Sequence, residues 1–301
     1  MEVSWTPLTG KQQDVQNIQR LVIPAVSVGN VPQLALDLLL HNVPCRAPVP
    51  SAVLRSPFVL PCAGGFDLES SQSDQPEHRA PRRISTSLQL CELDVPGQSL
   101  HVIHQRAPVM AGCAAVYAKQ MAEFLSRERI QDAVLLMSSS AAGRRDMHMH
   151  TQAQPQRPFD LRSRVWSMMT SAMAGTELAG RASETLGVEM LRGMGALGWN
   201  PAHAREEVAT DAEVDSSTLP LFFAASRPGS FVRCLLEECE KLGFPLLVLV
   251  MFVHEGDNTL EATAMASTLC DLLDLPRSDA WKMPSSWEYV LGPPPSSALY
   301  M

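Results

Sequence analysis

Charge is scarce in this chain. Asp, Glu, Lys and Arg make up 19% of its 301 residues, below the usual quarter. What charge there is leans acidic, with a formal net of −8 and a pI near 5.5. A nucleic-acid backbone or an anionic membrane is therefore not the expected partner. Aromatics are few as well, at 6%, with three tyrosines in all. No apolar run approaches the ~20 residues that a membrane helix needs; the longest is Leu246–Val253. The opening Met-Glu-Val-Ser-Trp-Thr-Pro has neither a basic nor an apolar leader region, so no secretory signal is expected. The seven cysteines are an odd number and contain no Cys-x-x-Cys. We expect a reduced, intracellular protein that uses its thiols as small apolar side chains, with no metal and no cofactor. Neither Ser27-Val-Gly-Asn30 nor Glu255-Gly-Asp-Asn258 matches a Gly-x-Gly-x-x-Gly or a P-loop, and Ser138-Ser-Ser140 lacks the flanking Gly-x-Ser-x-Gly elbow.

Apolar side chain is plentiful, at 46% with a mean hydropathy of −0.01. That excludes wholesale disorder and allows a sizeable core. The length suits one or two domains. We read a single α/β domain over residues 1–291 and a flexible tail over residues 292–301. The 23 prolines and the Ser- and Ala-rich stretches suggest ordered elements spliced with flexible inserts, at residues 67–83, 141–164 and 201–217.

Residues 21–26 form a short apolar run closed by Ser27-Val-Gly-Asn30, which reads as a buried strand. Pro32 fits a first helical turn, and Val31, Leu34, Ala35, Leu38 and Leu39 then repeat on one helical face. Residues 52–60 read as a strand, with Pro57 pushing it to a sheet edge. Leu88, Leu90 and Glu92, then Leu100, Val102 and His104, predict a hairpin turned by Pro96-Gly97. Met110, Cys113, Ala114, Tyr117, Met121, Phe124 and Leu125 predict an amphipathic helix. Asp132 to Met137 reads as a strand stopped by Ser138-Ser-Ser140. Residues 165–199 read as mostly helical by propensity. A helix over residues 229–242 is expected to bury Phe231, Cys234, Leu235 and Cys239. Leu246–Val253 reads as a strand buried on both faces, followed by a helix through Leu273. Alternating strands and helices argue for a mostly parallel central sheet covered on both sides.

Several constellations bear on chemistry. The turns Ser27-Val-Gly-Asn30 and Glu255-Gly-Asp-Asn258 look alike and each opens a helix. Helix N-termini can hold a phosphate, but Asn and Asp as caps and Gly as a sharp turn explain both more simply. Ser138 to Ser140 sits where sheet enzymes place residues, yet without the serine elbow it reads as polar strand ends. His148 and His150 have no Cys or carboxylate at a ligand-like spacing. Trp281-Lys-Met-Pro-Ser-Ser-Trp287 brackets a proline with two indoles. Either the pair packs back on the domain as a clasp or it faces a partner. The chain ends Leu299-Tyr300-Met301 after Pro293-Pro-Pro295. An apolar-Tyr-any ending arises by chance about once in 200 chains of this composition. A carboxyl terminus captured by a partner is a recognised mode of binding, and polyproline geometry would carry it clear of the domain.

Four blocks resemble the proteasome assembly chaperone 2 family. They are Leu21-Val-Ile-Pro-Ala-Val-Ser-Val-Gly-Asn-Val-Pro-Gln-Leu-Ala-Leu-Asp-Leu38, Val134-Leu-Leu-Met-Ser-Ser-Ser140, Met251-Phe-Val-His-Glu-Gly-Asp-Asn258 and Trp281-Lys-Met-Pro-Ser-Ser-Trp287. The resemblance implies a three-layer α/β sandwich similar to nucleoside phosphorylases but without their catalytic residues. It implies a chaperone rather than an enzyme, cytoplasmic and nuclear, with no catalytic residue. The implied partners are proteasome assembly chaperone 1, as a heterodimer, and the proteasome α subunits, whose ring the dimer helps to form. It also implies that Leu299, Tyr300 and Met301 enter a pocket between α subunits, where a lysine receives the terminal carboxylate. A nucleoside- or phosphate-handling enzyme on a related fold, using the Asn30 and Asn258 turns, is the alternative.

Overall fold

The computed structural model describes residues 3–7, 18–46, 50–65, 84–141, 165–185, 230–276, 280–284 and 287. The expected inserts 67–83 and 201–217, the expected insert 141–164 apart from Ala141, and the tail 292–301 lie outside those residues.

In chain order the strands are β1 (Ser4–Pro7), β2 (Arg20–Pro24), β3 (Ala52–Arg55), β4 (Ala63–Gly65), β5 (Ile84–Thr86), β6 (Leu88–Val95), β7 (Gln98–Gln105), β8 (Asp132–Ser140), β9 (Val165–Met169) and β10 (Leu246–Val253). The helices are α1 (Val31–Asn42), α2 (Ala114–Arg127), α3 (Glu177–Thr185), α4 (Phe231–Leu242) and α5 (Thr259–Leu273). Eight strands form one sheet in the order β1-β3-β6-β7-β2-β8-β10-β9, and β4 and β5 make a separate ribbon.

The continuous apolar runs of β8 (Ala133–Met137) and β10 (Leu246–Val253) fit strands covered on both faces. In β10, Leu246, Val248 and Val250 point to one core, while Leu247, Leu249 and Met251 point to the other. In β8, Ala133 and Leu135 share the first core, and Val134 and Leu136 the second. The first core is closed by α2, through Tyr117, Met121, Phe124 and Leu125, and by α4, through Val232, Leu235, Leu236 and Cys239. The second is closed by α1, α3 and α5. Each fully buried Leu or Val of these strands contributes ~1.5–3 kcal/mol. Among the described residues three layers follow directly: two helices, the sheet, three helices.

The expectation of a mostly parallel sheet needs correction. The middle is parallel, where β2 pairs with β7 and β8, and β8 with β10. The flanks are antiparallel, where β1 pairs with β3, β3 with β6, β6 with β7, and β9 with β10. The sheet is thus about half of each kind. A hairpin such as β6–β7, turned at Pro96-Gly97 as expected with Gly97 at φ +76°, makes its pair antiparallel without any helical crossover.

Five further expectations change. The segment 165–199 does not open as a helix. Val165–Met169 adds to β10 as an edge strand, because pairing with the most apolar strand overrides helix propensity. β3 is not an edge strand, since it lies between β1 and β6; it stops two residues before Pro57, so no ladder hydrogen bond is lost. Ser138 to Ser140 continue β8 rather than ending it, with Met251, Phe252 and Val253 of β10 opposite them. Met110 and Cys113 precede α2, and Phe231 and Cys234 are half-buried rather than buried.

Candidate functional site

Strands β2, β7, β8 and β10 run the same way, so their carboxyl ends share one rim of the sheet. That rim is where open α/β sheets place ligand sites. The two look-alike turns meet there. Gly29 has φ +67° and Asn30 φ +52°, both left-handed. A side chain at Gly29 would run into the Asn258 carboxamide, whose Cγ is 2.8 Å from the place of the missing Cβ. Asn258 is buried, and its Nδ2 donates to the Gly256 carbonyl at 3.0 Å.

The serine groups at this rim are committed to each other. Ser138 Oγ donates to the Val28 carbonyl at 2.5 Å, and the Ser138 N–H donates to Ser27 Oγ at 3.0 Å. Ser27 Oγ lies 2.9 Å from Ser138 Oγ and 3.0 Å from the Ala25 carbonyl. Ser138 is 1% exposed. Together these contacts fasten the β2–α1 turn to the end of β8. Capping also departs from expectation. Neither Asn30 nor Asn258 makes a side-chain cap bond; Asp257 Oδ1 instead accepts from the Thr259 N–H and hydroxyl at 3.0 and 2.6 Å. Those two bonds hold the Asp257 carboxyl below its ordinary range.

The second candidate is the Trp281 and Trp287 segment. Both indoles are half-buried against the core shared by α1 and α5. Trp281 Nε1 donates to Ser267 Oγ of α5 at 3.2 Å, and the Trp287 N–H donates to the Pro284 carbonyl at 3.0 Å. Asn42, the last residue of α1, grips the main chain between them. Its Nδ2 donates to the Lys282 carbonyl at 2.9 Å, and its Oδ1 accepts from the Lys282 N–H at 2.8 Å. The segment is therefore strapped across the α1–α5 layer, while Met283 stays 46% exposed. Asn42 was not singled out from sequence. An Asn at a helix end ordinarily signals a cap, and nothing local shows that it reaches a segment near the other end of the chain. The tail residues Leu299, Tyr300 and Met301 lie outside the described residues.

Two polar clusters in the interior are paired across elements. Arg20 of β2 and Asp132 of β8 make a two-bond ion pair at 2.5 and 2.7 Å. His104 Nε2 of β7 lies 2.6 Å from Asp37 Oδ1 of α1, with Arg106 3.5 Å from the other carboxylate oxygen. The cysteines are free thiols, and burial pushes Cys45 and Cys239 up to about 12. Among the described residues no group of three or more His, Cys, Asp or Glu could hold a metal ion.

Comparison with known proteins agrees with this architecture. The model of the PAC2 family matches residues 21–281. Proteasome assembly chaperone 2 of Danio rerio is 28% identical over 280 residues, covering 90% of this chain and 91% of the relative. The protein of the same name from Nematostella vectensis is 25% identical over 259 residues, covering 86% and 91%. Among solved structures, Pyrococcus furiosus PbaA, described as an archaeal homolog of proteasome-assembly chaperone, superposes with a TM-score of 0.50 at 14% identity, over 92% of this chain and 88% of that one. That last likeness is one of fold.

Proposed function

The chain belongs to the PAC2 family, and from that membership we propose that it is a chaperone for assembly of the proteasome core particle. The observation that carries this reading is the span of the likeness. The family model runs from β2 through the Trp281 strap, and the relatives named proteasome assembly chaperone 2 are covered nearly end to end. Every layer of the sandwich falls inside that span.

In this reading the chain is not an enzyme. It acts in the cytoplasm and nucleus as a heterodimer with proteasome assembly chaperone 1, and the dimer promotes formation of the α ring. The sandwich is similar to that of nucleoside phosphorylases without their catalytic residues. Leu299, Tyr300 and the Met301 carboxylate enter a pocket between α subunits, and the folded body makes the second contact. At the turns that the phosphate-handling alternative would use, Asn258 packs against Gly29 and Ser138 is bonded to Ser27 and Val28.

Purification of the tagged full chain from its own cells, with mass spectrometry of what accompanies it, tests the proposal. Proteasome assembly chaperone 1 and α subunits are the expected companions. Recovery of the chain without proteasome subunits or a partner chaperone would overturn it. So would a thermal shift of several degrees with a nucleoside or inorganic phosphate.

A further inference from the structure

At the β3 side of the sheet, away from the rim and the strap, lies an open cleft of about 440 Å³. Its lining includes Leu54, Val59 and Leu88, each buried to 6% exposure or less, together with Pro57. Arg55 is the one charged side chain among the lining residues. It is exposed and has no ion pair among the described residues. Thr86 also lines the cleft, and its hydroxyl oxygen is buried with no hydrogen-bond partner among the described residues. Leu60, between the lining residues Val59 and Pro61, is 44% exposed, and Ile84, two residues before Thr86, is 70% exposed.

The cleft is preformed. The Leu60 N–H donates to the Pro108 carbonyl and the Met110 N–H to the Phe58 carbonyl, at 3.1 and 2.7 Å. Ser87 Oγ donates to the Leu60 carbonyl and accepts from the Cys62 N–H, both at 2.8 Å. These bonds fix the wall formed by residues 57–62 before anything binds, which lowers the ordering cost of binding. An apolar hollow with one free cation at its mouth and one unused hydroxyl inside selects a particular chemistry. An apolar side chain fills the hollow, a carboxylate meets Arg55, and a main-chain group meets the Thr86 hydroxyl. On a chain of net charge −8, a lone unpaired guanidinium beside apolar surface marks the site as complementary to an acidic partner.

We propose that this cleft docks a short segment of another protein, one that carries an apolar side chain with a carboxylate one or two residues away. The inference stands apart from the assembly role and from the carboxyl-terminal tail, since it uses neither.

The test is fluorescence anisotropy with the full chain and a fluorescein-labelled peptide, Ser-Leu-Leu-Asp-Glu-Ser, against its Asn/Gln counterpart. The acidic peptide is expected to bind, with the Asn/Gln peptide about fivefold weaker, the size of one exposed ion pair. Arg55→Glu is expected to weaken the acidic peptide by about tenfold and Arg55→Lys by less, with binding falling as salt rises. Thr86→Val is expected to cost about threefold, one hydrogen bond. Arg55 is exposed and unpaired, so the melting temperature of Arg55→Glu serves as the folding control. The proposal is overturned if neither peptide binds, if both bind equally, or if Arg55→Glu leaves the acidic peptide unaffected.

Discussion

Gly29 and Asn258 are packed backbone against carboxamide, so two turns from opposite ends of the chain close the same rim of the sheet. Gly29 also sits at φ +67°, which costs an L-residue ~1–2 kcal/mol before any contact is counted. Gly29→Ala should therefore lower stability by ~2–4 kcal/mol, from backbone strain plus overlap with Asn258. Replacing Asn258 by Gly in the same chain should return ~1 kcal/mol or more, because the overlap disappears while the strain remains. Urea midpoints of the two single variants and the double variant decide it. Simple additivity would mean that the turns do not press on each other.

The Asn42–Lys282 clamp makes a local prediction. Asn42→Ala removes both bonds to the Lys282 main chain and should cost ~1 kcal/mol, since the site is solvent-exposed. The clearer readout is hydrogen exchange. The Lys282 N–H should exchange faster in the variant, while amides of β8 and β10 keep their protection. Unchanged exchange at Lys282 would show that the two indoles hold the segment without Asn42.

His101 sets an acid limit. It is 2% exposed, and neither ring nitrogen has a hydrogen-bond partner among the described residues. Burial, with the nearby Arg46 charge, lowers it from 6.5 to about 4. The unfolded chain takes up this proton below 6.5, whereas the folded chain refuses it until about 4. The contribution of neutral His101 is thus intact above pH 6.5 and is lost progressively down to about pH 4, for a total of about 3 kcal/mol. Denaturation curves at pH 7 and pH 4.5 should show that loss in the natural chain. His101→Leu should show less of it. Parallel losses in both proteins would place the acid sensitivity elsewhere.

Much of this fold is written locally. The β6–β7 hairpin, α1, α2, α4, β10 and α5 each follow from periodicity and turn chemistry within a dozen or so residues. Two of the errors share one cause, which is partnership across the sheet. Val165–Met169 becomes a strand only because β10 offers an edge, and Ser138 to Ser140 stay in register only because β10 runs beside them. No local pattern carries that information. The rim could be guessed as a site from the two similar turns, but its closure by Asn258 against Gly29 depends on a contact between distant segments. Arg55, with no ion pair among the described residues, reads in sequence as one arginine among many until the fold sets it beside a cleft lined by Leu54, Val59 and Leu88.

Tyr117 is fully buried beside the Phe231 ring, with centroids 5.1 Å apart, and its hydroxyl has no hydrogen-bond partner among the described residues. Burial pushes its ionisation well above the ordinary value, so it stays neutral at any physiological pH. An unpaired buried hydroxyl costs ~1–3 kcal/mol, and Phe has the same shape without it. Tyr117→Phe should raise the melting temperature by several degrees. A lower melting temperature would reveal a buried water or another acceptor at the hydroxyl.

The carboxyl terminus gives the sharpest test of the proposed assembly role. Burying a Leu and part of a Tyr supplies ~2–4 kcal/mol, and a carboxylate–lysine pair about 1 more. That sum corresponds to a Kd between about 0.2 and 6 mM, so the tail alone cannot hold a complex. Joined to a body that makes its own contact, it gains effective concentration and becomes an anchor that still releases easily. Deleting Leu299, Tyr300 and Met301 should therefore weaken capture of assembling α subunits at least tenfold. The melting temperature and pairing with proteasome assembly chaperone 1 should be unchanged. Tyr300→Ala should do most of the same damage, because the ring brings the largest apolar area and a hydroxyl that seeks a partner. One residue added after Met301 moves the carboxylate by up to ~3.5 Å, beyond the reach of a fixed lysine, and should also weaken capture. Quantitative pull-down of α subunits with the four proteins, at matched concentration and salt, separates the outcomes. Equal capture by all four would assign the whole interaction to the folded body.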